Sequence, residues 1–176
     1  EQGELALVVK TNPFSFALLR NDTLLVESVS DGVCKADQCW SVRLGVRADE
    51  LLFGLGESTD ALERRGVRLC SSNPEDRSIP FLWSTRGWGL YLNTFETIEH
   101  DVAASDSAVY EARVHSNHLD LFFFTGQPTD ILNQYTALTG RAGQPGLWPM
   151  GVWLHLSPEH SMDDAFALVE QLKEKE

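Results

Sequence analysis

Between Leu5 and Phe124 the chain is a succession of short segments in which apolar and polar residues alternate, each closed by turn-forming residues. Residues 5–10 and 14–19 flank Thr11-Asn12-Pro13, and residues 24–29 follow Arg20-Asn21-Asp22. Residues 40–46 show the pattern most clearly. Trp40, Val42, Leu44 and Val46 fall on one side, and Ser41, Arg43 and Gly45 on the other. Residues 79–83, 88–93, 109–114 and 119–124 continue the series. A period of two puts successive side chains on opposite faces of a strand and marks one face for burial. Many such strands joined by polar turns predict two packed β-sheets, a sandwich.

The period changes at Gln127. Pro128-Thr129-Asp130 suits a first helical turn, where the missing proline N–H costs nothing. Ile131, Leu132, Tyr135 and Leu138 then share one helical face, and Gly140 ends it. This predicts a helix over about 128–139, a linker over 141–146 and a domain boundary there. Residues 147–156 are apolar with little alternation, the pattern of a strand buried on both faces in a parallel sheet. Ser161 with Asp164 makes a capping box, and Met162, Ala165, Phe166, Val169 and Leu172 form a helical stripe. One strand and one helix are an incomplete parallel unit, because such a strand needs a neighbour reached by a crossover. The expected organisation is a β domain over 1–140 and the start of a second domain over 147–176, within a longer protein.

Of the 176 residues, 43% are hydrophobic, enough for a full core. The formal net charge of −12 disfavours nucleic acid and anionic membrane surfaces as partners. No segment approaches the roughly 18 consecutive apolar residues of a membrane span, and no secretory leader pattern opens the chain. Cys34, Cys39 and Cys70 are too few for a disulfide framework and fit no zinc spacing. Cys34 and Cys39 are placed either to close a small disulfide loop or to remain free thiols. Asp101, Asp106 and Asp120 lack a calcium-loop spacing. Asp163-Asp164 and Glu57 are expected in structural roles, and Trp83, Trp88 and Trp148 in the core. Neither a metal nor a cofactor is expected. The sequon Asn21-Asp22-Thr23 does not by itself assign a compartment.

Five segments taken in order carry a resemblance. They are Phe53-Gly54-Leu55-Gly56-Glu57, Ser78-Ile79-Pro80-Phe81, Arg86-Gly87-Trp88-Gly89 with Asn93, Tyr135-Thr136-Ala137-Leu138-Thr139-Gly140-Arg141, and Leu147-Trp148-Pro149-Met150-Gly151-Val152-Trp153. In this order and spacing they resemble glycoside hydrolase family 31, the α-glucosidase and α-xylosidase family, over nearly the whole chain. The resemblance implies a mainly β fold: a galactose-mutarotase-like β-sandwich followed by strand one (147–156) and helix one (161 onward) of a truncated (β/α)8 barrel. It implies a retaining α-glycosidase acting on terminal α-glucosyl or α-xylosyl groups, with an Asp nucleophile and an Asp acid/base about 5 Å apart. Both belong to later barrel strands, so no catalytic residue is expected among these 176 and the chain alone is expected to be inactive. The implied partners are an α-glycoside or oligosaccharide substrate and the barrel of the same polypeptide. A non-catalytic carbohydrate-binding or degenerate member is the alternative.

Two places are implied to face the substrate pocket. One is the loop around residues 69–75, where relatives often carry Trp-Asn-x-Asp and this chain has Cys70-Ser71-Ser72-Asn73. Asn73 keeps the capacity to donate to and accept from a sugar hydroxyl. The other is the C-terminal end of barrel strand one, where His155 and His160 would lie at the rim. Asn73, His155 and His160 are therefore the candidate substrate-binding residues.

Overall fold

The computed structural model describes residues 4–57, 61–73, 77–147, 150 and 156–174. It divides into two units, Glu1–Gly140 and Arg141–Glu176. The first unit contains β1 (Leu5–Thr11), β2 (Phe14–Arg20), β3 (Thr23–Ala36), β4 (Cys39–Gly45), β5 (Leu52–Gly54) and β6 (Val67–Cys70). It continues with β7 (Phe81–Ser84), β8 (Trp88–Leu92), β9 (Ile98–Val102), β10 (Val109–Val114), β11 (Leu121–Thr125) and α1 (Pro128–Thr139). The strands form a seven-stranded sheet, β1-β2-β3-β4-β10-β9-β6, and a four-stranded sheet, β11-β8-β7-β5, with all pairings antiparallel.

The alternation of period two becomes the main core. Val42 and Leu44 from β4, Tyr110 and Ala112 from β10, and Leu82, Trp88 and Leu90 from the smaller sheet are almost fully buried in one cluster. The smaller sheet is buried on its other face as well. There Phe81, Phe124, Trp83, Tyr91 and Phe122 meet Ile131 and Tyr135 of α1. The Phe81 and Tyr135 rings stack at 4.1 Å. Gly89 makes this docking possible, since a Cβ at that position would lie 2.7 Å from Ile131 Cγ2. Trp88 is core and Trp83 stacks on Phe53 at 4.7 Å, while Trp148 lies outside the described residues.

Three details depart from the expected strands. The strand expected over 24–29 runs on to Ala36 through an irregularity between Ser28 and Val33. Gly32 sits where a Cβ would be 2.6 Å from the carbonyl oxygens of Arg43 and Val29, so the chain bends without leaving the sheet. Pro80 precedes its strand, which begins at Phe81 and lies inside its sheet between β8 and β5. β6 and β9, absent from the expected series, complete one side of the larger sheet.

In the second unit, α2 (Met162–Lys173) starts at the expected capping box: Ser161 Oγ accepts from Asp164 N–H, and Asp164 Oδ2 accepts from Ser161 N–H at 2.7 Å. Met162, Phe166, Val169 and Leu172 are all exposed. The expected strand over 147–156 falls largely outside the described residues.

Candidate functional site

The loop carrying Asn73 leaves the end of β6 at the rim of the larger sheet. Its start is tied to β9: Ser71 N–H donates to Ile98 O at 2.8 Å, and Ile98 N–H donates to Ser71 Oγ at 2.8 Å. Cys70 Sγ lies 3.1 Å from Ser72 Oγ, and Asn73 N–H donates to Cys70 O at 3.1 Å, closing a turn that leaves Asn73 exposed. The far side is tied at Arg77, whose N–H and O pair with O and N–H of Glu57, both at 3.0 Å. The Arg77–Glu57 ion pair at 3.5 Å is exposed and adds little to the backbone bridge.

Glu57 is itself held by the turn before it. Gly54, Leu55 and Gly56 all have positive φ, 112°, 63° and 89°. A Cβ at Gly56 would fall 2.0 Å from Arg77 O, so only glycine lets this turn reach the 77 segment. The buried Arg64 guanidinium donates to Gly54 O at 3.0 Å and to Gly56 O at 2.8 Å, satisfying carbonyls that the turn points inward. Leu55 N–H donates to Phe81 O at 2.8 Å. The double glycine thus acts as a brace: it fixes both Glu57 and the strand start at Phe81, and through them the end of the Asn73 loop.

A second brace is a buried carboxylate. Glu50 is 2% exposed. Its Oε1 accepts from the Trp88 indole N–H at 2.7 Å and from the Ser84 hydroxyl, and its Oε2 accepts from Arg47 N–H at 3.0 Å. Sequence reasoning passed over Glu50, because 47–50 reads as a polar connection.

The outer face of β6, β9 and β10 forms a depression of about 430 Å³ lined by Arg68, Glu99, Asp101, Glu111 and Arg113 among others. Four of these charges pair with one another, Arg68 with Asp101 at 3.0 Å and Arg113 with Glu111 at 3.2 Å, while Glu99 Oε1 lies 3.0 Å from His115 Nε2. Partial burial pushes the Asp101 carboxyl up, but hydrogen bonds from Ser105, Ala104 N–H and Arg68 together outweigh it and hold it at about 2. On the opposite, inward face of β9, burial pushes His100 down to about 4, and its Nδ1 lies 2.9 Å from the Tyr110 hydroxyl.

Asn73 belongs to the first unit and His160 to the second, and His155 lies outside the described residues. His160 is exposed in the turn before α2, with Nδ1 2.7 Å from Ser157 Oγ and its N–H donating to Ser157 O at 3.0 Å. Cys34, Cys39 and Cys70 are free thiols. Cys34 pairs with Ser41 and Cys39 with Ala36, so the two cysteines are diagonal rather than opposite. Among the described residues no group of three His, Cys, Asp or Glu side chains is placed to hold a metal, and no helix is long and apolar enough to cross a membrane.

Two antiparallel sheets, with a helix laid on the outer face of the smaller one and a rim loop braced from two sides, make the first unit a β-sandwich domain. The glycosyl hydrolase 31 N-terminal galactose mutarotase-like domain matches residues 1–101, and the chain belongs to this family. It is 26% identical over 153 residues to an alpha-xylosidase of Emericella nidulans, covering 81% of this chain and 20% of the relative. It is 31% identical over 116 residues to alpha-glucosidase 2 of Bacillus thermoamyloliquefaciens, covering 56% and 14%. Among solved structures, the cycloalternan-forming enzyme from Listeria monocytogenes in complex with pentasaccharide substrate superposes with a TM-score of 0.82 over 97% of this chain and 19% of that one, at 20% identity. A GH31 dextranase of Flavobacterium johnsoniae complexed with isomaltotriose gives 0.77 over 84% and 20%, at 25% identity. The matched part of the chain spans between 14% and 20% of the length of these relatives.

Proposed function

We propose that this chain is the N-terminal part of a retaining α-glycosidase that hydrolyses terminal α-glucosyl or α-xylosyl groups. The observation that carries the reading is the family match over residues 1–101, joined to similarity with an alpha-xylosidase over 153 residues. In this reading residues 147–176 open the catalytic barrel, whose later strands supply both carboxylates, and the 176 residues have no hydrolytic activity alone. The first unit supports that barrel and offers the Cys70–Asn73 loop to the substrate.

The bracing of that loop supports the assignment. A contact residue is useful only if its position is set before the ligand arrives, since ordering on binding subtracts from affinity. Here the Ser71–Ile98 pair and the Arg77–Glu57 bridge set both ends. Asn73 then contributes a hydrogen bond, while His155 and His160 are the rim residues from the second unit. The test is made on the longer polypeptide with nitrophenyl α-xyloside and α-glucoside. The expected result is turnover by the full protein, none by the 176 residues, and a several-fold rise in KM for Asn73→Ala, as the loss of roughly 1 kcal/mol of hydrogen bonding predicts. Turnover by the 176-residue chain would overturn the placement of the carboxylates. An unchanged KM in the variant would remove Asn73 from the site. A full protein that binds the glycosides without turning them over would leave the non-catalytic reading in its place.

A further inference from the structure

Among the described residues β1 is the terminal strand of the larger sheet, paired to β2 alone, and all seven of its residues are exposed. It is apolar on both faces. Leu5, Leu7 and Val9 are 53%, 63% and 49% exposed, and Val8 on the other face is 49% exposed. Strand partners share a face, so Leu7 and Val9, opposite Leu18 and Phe16, continue the core face outward beyond the point where that face is covered. Sheet edges are ordinarily blunted by proline, a bulge or an inward charge. Within β1 the register to β2 is unbroken, and the one charge, Lys10, stands near its end.

The open backbone groups can be assigned. Asn21 N–H donates to Glu4 O, while Phe14 N–H and Phe16 N–H donate to side chains of β3, Asp31 and Ser28. By antiparallel alternation, Glu4, Ala6, Val8 and Lys10 turn their N–H and C=O groups toward β2, and Leu5, Leu7, Val9 and Thr11 turn theirs to the open edge.

We propose that this edge is a homodimer interface, in which β1 pairs antiparallel with β1 of a second copy about a two-fold axis at Leu7. The sequence from Glu4 to Lys10 is self-complementary in that register. Leu7 faces Leu7, Leu5 faces Val9, Ala6 faces Val8, and Glu4 faces Lys10 at both ends. The outward groups of Leu5, Leu7 and Val9 fall in hydrogen-bonded pairs, so no open donor or acceptor in the paired stretch is left over. Glu4 and Lys10 fall in a pair without backbone bonds, where opposed side chains come closest. The axis makes the contact isologous, which closes it at two copies. The two apolar face strips then lie side by side across a continuous sheet. A single added strand pair is a small interface, so association is reversible and depends on concentration.

The test is sedimentation equilibrium of the 176-residue chain across a wide concentration range, together with amide exchange read residue by residue. The expected mass climbs from 19.7 kDa toward twice that value. The amides of Leu5, Leu7 and Val9 gain protection as the dimer forms, while those of Ala6 and Val8 are protected throughout. Leu7→Lys abolishes the dimer. Glu4→Lys or Lys10→Glu alone weakens it at least several-fold, and the two together restore it, since each end again opposes unlike charges. A monomer at every concentration overturns the proposal. So does a dimer that survives Leu7→Lys but is lost in Phe166→Glu, because the exposed stripe of α2 would then be the contact.

Discussion

Lowering the pH should destabilise the first unit through one buried side chain. His100 is 2% exposed on the inward face of β9, with Nδ1 beside the Tyr110 hydroxyl. Burial lowers its pKa from 6.5 to about 4, because the imidazolium would lose its hydration. By the alternation of the strand, Glu99 and Asp101, its neighbours in sequence, turn to the opposite, less buried face. The folded-state value is the depressed one, so the unfolded chain takes up the proton first. The contribution to stability is complete above 6.5, falls as the pH drops, and is lost by about 4. That interval corresponds to about 3 kcal/mol, a large share of the roughly 5–15 kcal/mol that holds a domain of this kind together. Asp101 acts in a separate window. Its carboxyl is lowered from 3.8 to about 2, so its contribution is present above 3.8 and disappears only below the range in which His100 acts. The assay is urea unfolding followed by tryptophan fluorescence, from neutral pH to about 4, for the wild type and for His100→Gln, which retains a hydrogen-bonding group for Tyr110 but does not titrate. The difference in unfolding free energy between the two proteins should change by about 3 kcal/mol over that interval. Parallel pH profiles would refute the reasoning, and would mean that His100 is protonated in the folded state or reaches solvent.

Two further substitutions test the supports of the fold. Gly89→Ala should cost about 1–3 kcal/mol in urea unfolding, because the new Cβ meets Ile131 Cγ2 at 2.7 Å and α1 must lift from the sheet; an unchanged midpoint would show that the helix is not seated there. Glu50→Ala should cost about 3–5 kcal/mol by the same measurement, because the Trp88 indole, the Ser84 hydroxyl and Arg47 N–H lose their common acceptor in a dry site; a loss under about 1 kcal/mol would mean that water reaches those donors.

Local pattern carried much of the fold. The runs around Val42, Leu90 and Ala112 are strands because a period of two leaves one face to bury, and the 128–139 helix stands where its proline, its apolar face and Gly140 require. The capping box at Ser161 and Asp164 is equally local. Family membership was legible in ordered glycine and aromatic motifs, and one of them, Phe53 to Glu57, has a mechanical role in bracing the rim loop. Alternation marked residues 5–10 as a strand, but only the strand order shows that this strand lies on a sheet edge.

Other features depended on partners distant in the chain. β9 is hidden in sequence because a polar histidine interrupts its apolar series; Tyr110, ten residues on, makes that position a buried one. Glu50 looks like part of a solvated connection until Trp88 and Ser84, more than thirty residues away, close over it. Asn73 was nameable only through the family resemblance, and its setting comes from Ile98 on one side and the Glu57–Arg77 bridge on the other. What the sequence determined by itself was periodicity, caps and turns, because these are set by residues within a few positions of one another. Which polar groups are buried, and which strand is left without a neighbour, only the tertiary structure decided, because desolvation depends on what the rest of the chain brings into contact.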